Sequence, residues 1–168
     1  MIINTDYIRN YRPIAKNIDE ARVEVYINEA EQLDIIPAIG AEEYQRLADE
    51  SVILTEDERL LLNGGYYDGE EHCGGMRRIA GIKAALAYLA YARFVRNHST
   101  QVTPFGVVVK MGDESNPATD RGIATVADDA KSIGEAYLHE AVEYWQSVRS
   151  CCATRKTKQS RRFVAIGD

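Results

Sequence analysis

IAGIKAALAYLAYARFV is the sequence of residues 79–95, and this stretch decides the fold of the chain. Alanines are interspersed with larger apolar side chains, so a helix over about residues 76–97 is apolar around nearly its whole circumference. Such a helix has to be enclosed by neighbouring helices or subunits. Lys83 and Arg93 interrupt the stretch, which falls short of the roughly 20 apolar residues that cross a bilayer. The sequence therefore predicts a buried central helix and no membrane partner.

A second long helix is predicted to begin at Asn116-Pro117 and to run to about Arg149, because an N-cap side chain followed by proline favours a helix start. Mostly small residues recur along this helix at alternating steps of four and three, which is a heptad seam that allows close helix packing. The seam consists of Ile123, Ala127, Ala130, Gly134, Tyr137, Ala141, Tyr144 and Val148. A second apolar stripe for another partner consists of Ile133, Leu138, Val142 and Trp145.

An earlier helix is predicted over residues 18–33, with Asn17 close to a capping-box position and with Pro37 and Gly40 at its end. Its apolar positions have roughly helical spacing and would form the packed face. These positions are Ala21, Val25, Ile27, Ala30 and Leu33.

Shorter elements fill the rest of the chain. Residues 41–49 are predicted to form a short helix, and Thr55 with Glu58 forms a capping box for another. Residues 66–75 are predicted to be a loop because they are rich in glycine and acidic side chains. Residues 99–116 form the least helical part and are predicted to be an extended loop or a small β-hairpin.

Together these patterns predict a mainly α-helical bundle with two long helices, several short helices and an extended loop or small β-hairpin before the last helix. The length of 168 residues favours one core. We expect a helical domain over residues 1–150 and a basic C-terminal tail over residues 151–168.

The composition is that of a globular protein, with 45 % hydrophobic and 27 % charged residues. Three cysteines, Cys73, Cys151 and Cys152, have neither disulfide nor metal-ligand spacing, which fits a reducing cytoplasm. The N-terminal residues lack a basic segment followed by a long apolar run, so no secretory signal is expected.

Charge divides the chain into two unequal parts. Residues 1–148 hold 14 basic and 25 acidic side chains, whereas residues 149–168 hold six basic side chains and one acidic. The acidic body disfavours binding to nucleic acid, because like charges repel. The tail is either a solvating end or an arm that docks on an acidic partner or on phosphate, and its apolar finish favours docking. The candidate docking residues are Arg155, Lys156, Lys158, Arg161, Arg162, Phe163 and Ile166.

No pattern typical of catalysis is found in the sequence. His72, His98 and His139 lie outside any metal-ligand motif, and the glycine pairs lack the features of a phosphate-binding loop. We therefore expect neither catalytic residues nor a cofactor. An enzymatic alternative is a metal-dependent hydrolase that uses the acidic loop, and the residues concerned are Asp68, Glu70, Glu71 and His72.

Three stretches carry a resemblance to a known family. Residues 80–95, residues 102–110 and residues 114–118 resemble head-to-tail connector proteins of tailed bacteriophages, particularly those of phages and prophages of Bacteroides-like hosts. Residues 36–40 and Tyr44 also fit, so the resemblance covers about two thirds of the chain in order.

The resemblance implies a structural virion protein that is made in the host cytoplasm and located in the neck between capsid and tail. It implies a ring of about twelve copies below the portal protein, which extends the DNA channel and presents a platform to the next tail or stopper protein. DNA would pass through without specific binding. The tail and the loop after the central helix are the candidate reaching parts, by which we mean the segments that extend to the portal or to another component. The candidate contact residues of the loop are Thr103, Phe105, Val107 and Lys110.

Two other arrangements compete with this interpretation. One is a helical interaction module that binds nucleic acid or a protein partner through the basic tail, and it predicts salt-sensitive DNA binding. The other is a dimer formed through the heptad seam, which the mass in solution would distinguish from a ring.

Overall fold

The computed structural model describes residues 1–69, 75–97, 100–103, 106–109 and 119–159. These residues are mainly helical and include two antiparallel hairpins, so the predicted helical bundle with a small hairpin is confirmed. The helices are α1 Thr5–Arg9, α2 Glu20–Ala30, α3 Ile36–Ile39, α4 Ala41–Ala48, α5 Glu56–Asn63, α6 Ile82–Asn97 and α7 Asp120–Gln159. The strands are β1 Gly65–Gly69, β2 Gly75–Ile79, β3 Thr100–Thr103 and β4 Gly106–Val109.

The central helix α6 is buried as its apolar circumference predicts. Ile82 and Leu86 are fully buried, and α2 and α7 pack against α6 from the same chain. Its start was predicted too early, because residues 76–79 form strand β2 and Gly81 then turns the backbone with a φ of 83°. Methionine and arginine have high helix propensity, but pairing with β1 holds residues 76–79 in an extended conformation.

Helix α2 begins two residues later than predicted, because the side chain of Asp19, and not Asn17, accepts a hydrogen bond from the backbone of the first turn. Pro37 does not end the helical path. A π-helical turn, Glu31–Ile35, leads into α3, where Pro37 occupies a first-turn position that needs no backbone donor. Arg93 of α6 donates hydrogen bonds of 2.8 and 2.9 Å to the Asp34 carboxylate and ties the π-helical turn to the core.

The packed face of α2 differs from the predicted one. Val25 and Leu33 are 52 % and 62 % exposed, whereas Val23, Ile27 and Ala30 are fully buried. The prediction used only the spacing of apolar residues. The packing of α2 against α6 instead buries the face that includes Val23.

Helices α4 and α5 agree with the prediction. The capping box of α5 is present, since the Thr55 hydroxyl accepts from the Glu58 backbone and the Glu58 carboxylate accepts from the Thr55 backbone at 2.7 Å. Gly64 ends α5 with a φ of 78°.

Residues 66–69 and residue 75 were predicted to be a loop, and this prediction is wrong. They belong to the β1–β2 hairpin, in which Tyr66 pairs with Arg78 and Tyr67 with Arg77. The Tyr67 ring packs edge-on against Tyr144 of α7, with ring centroids 4.7 Å apart. This contact across the chain anchors the hairpin on the helical body.

Helices α6 and α7 form an antiparallel pair. Arg96, near the end of α6, forms an ion pair with Asp128, and Tyr88 packs edge-on against Tyr137 further along α7. Strand β3 therefore follows α6 at the end of the pair where α7 begins, and β1–β2 lies beside the second half of α7. The predicted helix start at Asn116-Pro117 lies outside the described residues.

Candidate assembly surfaces

The heptad seam of α7 faces α6 of the same chain. Ala127, Ala130, Gly134, Ala141 and Tyr144 are buried, and the other seam positions are partly buried. A Cβ atom on Gly134 would lie only 2.8 Å from the Cγ atom of Leu89, so the helices approach closely because this residue is glycine.

The first part of the seam packs on α6, and Tyr144 further along it contacts α5 and the β1–β2 hairpin. These contacts within the chain cover the seam, which contradicts the alternative of a dimer formed through it. The small residues of the seam therefore serve packing within the chain. Leu138, Val142 and Trp145 of the second stripe also pack against the core and are partly buried.

The tail is helical for longer than predicted. Helix α7 continues past Arg149 to Gln159, so Arg155, Lys156 and Lys158 lie on helical backbone. Val148 packs partly against the core, and the helix extends roughly 16 Å beyond it at about 1.5 Å per residue. The remaining candidate docking residues lie outside the described residues, and they are Arg161, Arg162, Phe163 and Ile166.

The loop candidates lie at the opposite end of α7. Thr103 ends β3 and Val107 lies in β4, where it pairs with Val102. Phe105 and Lys110 lie outside the described residues. The chain therefore places its two candidate reaching parts at opposite ends of the α6–α7 pair.

An acidic surface surrounds the base of the tail, where the first turns of α4 and α5 approach α7. Glu43 of α4 and Glu56 of α5 lie close enough to Arg149 and Tyr144 of α7, respectively, to interact with them electrostatically. The Asp57 carboxylate accepts a hydrogen bond of 2.9 Å from the Tyr144 hydroxyl. Burial, together with this hydrogen bond, raises the pKa of Tyr144 above its ordinary value. Tyr144 thus links α5 to α7 just before the basic segment begins.

Glu43 and Glu58 form a contrasting pair within this surface. Burial raises the pKa of Glu58, but hydrogen bonds from Thr55 and from the Arg46 guanidinium outweigh burial and hold the pKa below its ordinary value. Burial and the nearby Glu58 charge raise the pKa of Glu43, against the opposing charges of Arg46 and Arg149. The ionised form of Glu43 is therefore disfavoured by the fold.

We expect Glu43→Gln to increase the free energy of unfolding at neutral pH. A carboxyl with a raised pKa in the fold destabilises the fold above that pKa, and the cost vanishes below the unfolded value near 4.5. Urea unfolding at about pH 7 and about pH 4 measures the difference. Glu42→Gln is the matched control, because it removes an exposed carboxylate from the same helix turn and shares any helix-dipole effect. Equal effects of the two substitutions at neutral pH would contradict the prediction.

The β1–β2 hairpin is an exposed surface that sequence reasoning missed. Tyr66 and Met76 are 63 % and 71 % exposed, and the Arg78 guanidinium lies 5.9 Å from the Tyr66 ring centroid. The β-propensity of Tyr66 and Tyr67 was the available signal, and the surrounding glycines and acidic residues obscured it.

An apolar groove was also missed. It has a volume of about 310 Å³ and lies between the α1–α2 connection, the end of α6 and the first turns of α7. Its walls include Ile14, Phe94 and Ile123, and Val126 at its edge is 42 % exposed. No sequence pattern indicates the groove, because it is formed by residues from three distant segments.

Of the residues of the enzymatic alternative, the structure describes only Asp68. Asp68 is exposed on β1, and His139 is an exposed residue whose ring nitrogen lies 3.8 Å from Glu143. Among the described residues, no group of three or more His, Cys, Asp or Glu side chains converges as metal ligands would. Glu70, Glu71, His72 and His98 lie outside them. The described helices include none that is long and apolar enough to cross a membrane.

The fold thus defines a mainly helical bundle with an exposed β1–β2 hairpin and a basic end of α7. Residues 35–151 match the family described as "Family of unknown function (DUF6712)". The match covers well over half of the chain, so the chain belongs to this family. No curated protein and no solved structure matches the chain. The family match ends at residue 151 and excludes most of the basic tail.

Proposed function

We propose that this chain is a structural subunit of a tailed bacteriophage, which assembles as a ring below the portal, joins the head to the tail and extends the DNA channel. The observation that carries the proposal is the position of the two reaching parts at opposite ends of the α6–α7 pair. A connector needs this arrangement, because one end has to meet the portal and the other the next tail component. The resemblance of residues 80–95 and 102–110 to connector proteins supports the same role.

The length of α7 supports a subunit that spans a layer of the neck. At about 1.5 Å per residue, its 40 residues extend for about 60 Å. Helix α6 has 16 residues and covers only the first part of α7. The described contacts of α7 with the core end at Val148, and the helix after it carries the basic segment. We assign portal contact to this end.

The charge of the body supports a channel wall. The solvent-facing side of α7 carries the exposed carboxylates of Glu135, Glu140 and Glu143. A wall of this charge repels DNA phosphates and lets the duplex pass without adhering. The role is mechanical, and it requires neither a cofactor nor catalysis.

The proposal is tested with portal-bearing heads that lack neck proteins. We expect the purified chain to co-sediment with such heads at about twelve copies per portal and to leave portal-free capsids unbound. Equal binding to both kinds of particle, or binding to neither, would contradict the proposal. A gene order that places this chain beside a portal gene and a major capsid gene is the expected genomic context.

A further inference from the structure

The apolar groove is open on the surface at the end of the bundle where α7 begins. Its floor includes Tyr91 and Phe94, which are 8 % and 5 % exposed, and Val126 stands at its edge. Pro13 and Ile18 close it on the side of the α1–α2 connection. A surface of this kind favours an apolar protein segment as its occupant.

The β3–β4 hairpin is such a segment. Residues 100–109 have the sequence TQVTPFGVVV, which contains four valines and one phenylalanine and no charged residue. Its strands pair antiparallel, with Val102 opposite Val107, and the main contacts of each strand are with the other. An isolated two-stranded hairpin is marginally stable in water, so packing against an apolar surface would stabilise it.

The basic tail is too short to be the occupant. From Val126 to Gln159 the axis of α7 extends about 50 Å, and the nine residues that follow Gln159 span at most about 30 Å. The tail therefore cannot return to the groove of its own chain. It also cannot reach the groove of a neighbour that stands at the same level.

The hairpin is at the right level. It follows Asn97 at the end of α6, and the groove includes Val95 of α6 and Ile123 of α7. In a ring whose axis runs along α7, rotation brings the hairpin of one copy to the height of the groove of the next. Contacts of this head-to-tail kind close a ring without a free end.

We propose that the β3–β4 hairpin of one copy docks in the apolar groove of the adjacent copy and forms the contact that closes the ring. This inference rests on the proposed ring assembly. It assigns the loop that includes Thr103 and Val107 to a neighbouring copy. The docked hairpins then lie at the end of the ring that meets the next tail component, and portal contact stays with the tail.

The test is a disulfide that can form only between two chains. One full-length variant carries Val126→Cys, and a second carries either Val107→Cys or Val108→Cys, which lie on opposite faces of the hairpin. In all variants the three native cysteines are replaced by serine. The variants are mixed and oxidised, and the mixed disulfide dimer is quantified by non-reducing electrophoresis.

The matched control replaces Val126→Cys by Val25→Cys, because Val25 is a valine of similar exposure on α2. We expect one of the two hairpin variants to give at least about tenfold more mixed dimer with Val126→Cys than with Val25→Cys, since docking raises the effective concentration. Equal yields with the two would overturn the inference.

A chain that carries both Val126→Cys and a hairpin cysteine provides the second readout. If it cross-links within a monomer and no mixed dimer forms, its own hairpin fills the groove and the inference is wrong. If rings form on the portal but the cross-link does not, the hairpin contact is refuted and the proposed function stands. A cross-link between chains that do not bind portals would refute the proposed function while the contact between copies stands.

Discussion

Replacing Gly81 by alanine is expected to lower the free energy of unfolding by roughly 3–5 kcal/mol. Gly81 has a φ of 83°, a conformation that favours glycine. An added Cβ would overlap the backbone nitrogen of Gly64 and lie 2.7 Å from the carbonyl carbon of Asn63. Because the obstacles are backbone atoms, the end of α5 or the start of α6 has to move. Urea unfolding followed by circular dichroism measures the loss.

Gly40→Ala is the matched control for this substitution. Gly40 has a φ of 94° but no atom within 4 Å of an added Cβ, so only the backbone strain applies. We expect it to cost roughly 1–2 kcal/mol. Gly81→Ala is expected to lower the free energy of unfolding further than Gly40→Ala does, and this difference measures the effect of the close approach at Gly64. If Gly81→Ala destabilised the fold no more than Gly40→Ala, the close approach of Gly81 to the backbone of Asn63 and Gly64 would be wrong.

Deleting residues 153–168 is expected to abolish attachment to portal-bearing heads while the unfolding temperature stays unchanged. The described packing of α7 against the core reaches Val148, which the deletion retains. The deletion removes five of the six basic side chains of the tail together with its apolar finish. Co-sedimentation with heads measures attachment, and a thermal scan measures the fold.

Two partial variants separate the parts of this effect. One variant replaces Arg155, Lys156 and Lys158 by glutamine and measures the contribution of the basic side chains to attachment. The other carries Phe163→Ser and Ile166→Ser and measures the contribution of the apolar C-terminal residues. If charge contributes, attachment of the full chain weakens as salt rises. Attachment of the truncated chain at the full-length level would contradict the assignment of portal contact to the tail. Salt-sensitive DNA binding that the deletion removes would instead favour the nucleic-acid module.

Local signals allowed some elements to be predicted from sequence. The capping box of Thr55 and Glu58 depends on residues three apart, and the structure has it as predicted. The apolar circumference of α6 likewise required burial, and α2 and α7 provide it. In both cases the determinant lies within the segment itself.

Long-range contacts explain the elements that sequence reasoning missed. The β1–β2 hairpin depends on the packing of Tyr67 against Tyr144, which is far away along the chain. The seam of α7 had the right residues, but periodicity shows which face packs and does not identify the partner. The partner is α6, to which Gly134 lies close.

The end of α7 was misplaced for a different reason. The predicted helix ends at about Arg149, where the basic part of the chain begins, but a change of charge does not end a helix. Residues 150–159 contain neither glycine nor proline, so no strong helix breaker interrupts α7 before Gln159. The candidate tail residues were therefore recognisable by composition, while their helical backbone was not.

The most direct test of the central claim is electron microscopy of the chain bound to portal-bearing heads, with averaging around the portal axis. The account predicts a closed ring of about twelve copies below the portal, coaxial with it and open along the axis. It also predicts that α7 runs roughly along that axis with its Gln159 end towards the portal. Single copies scattered on the capsid, or a closed plug without a channel, would contradict the account.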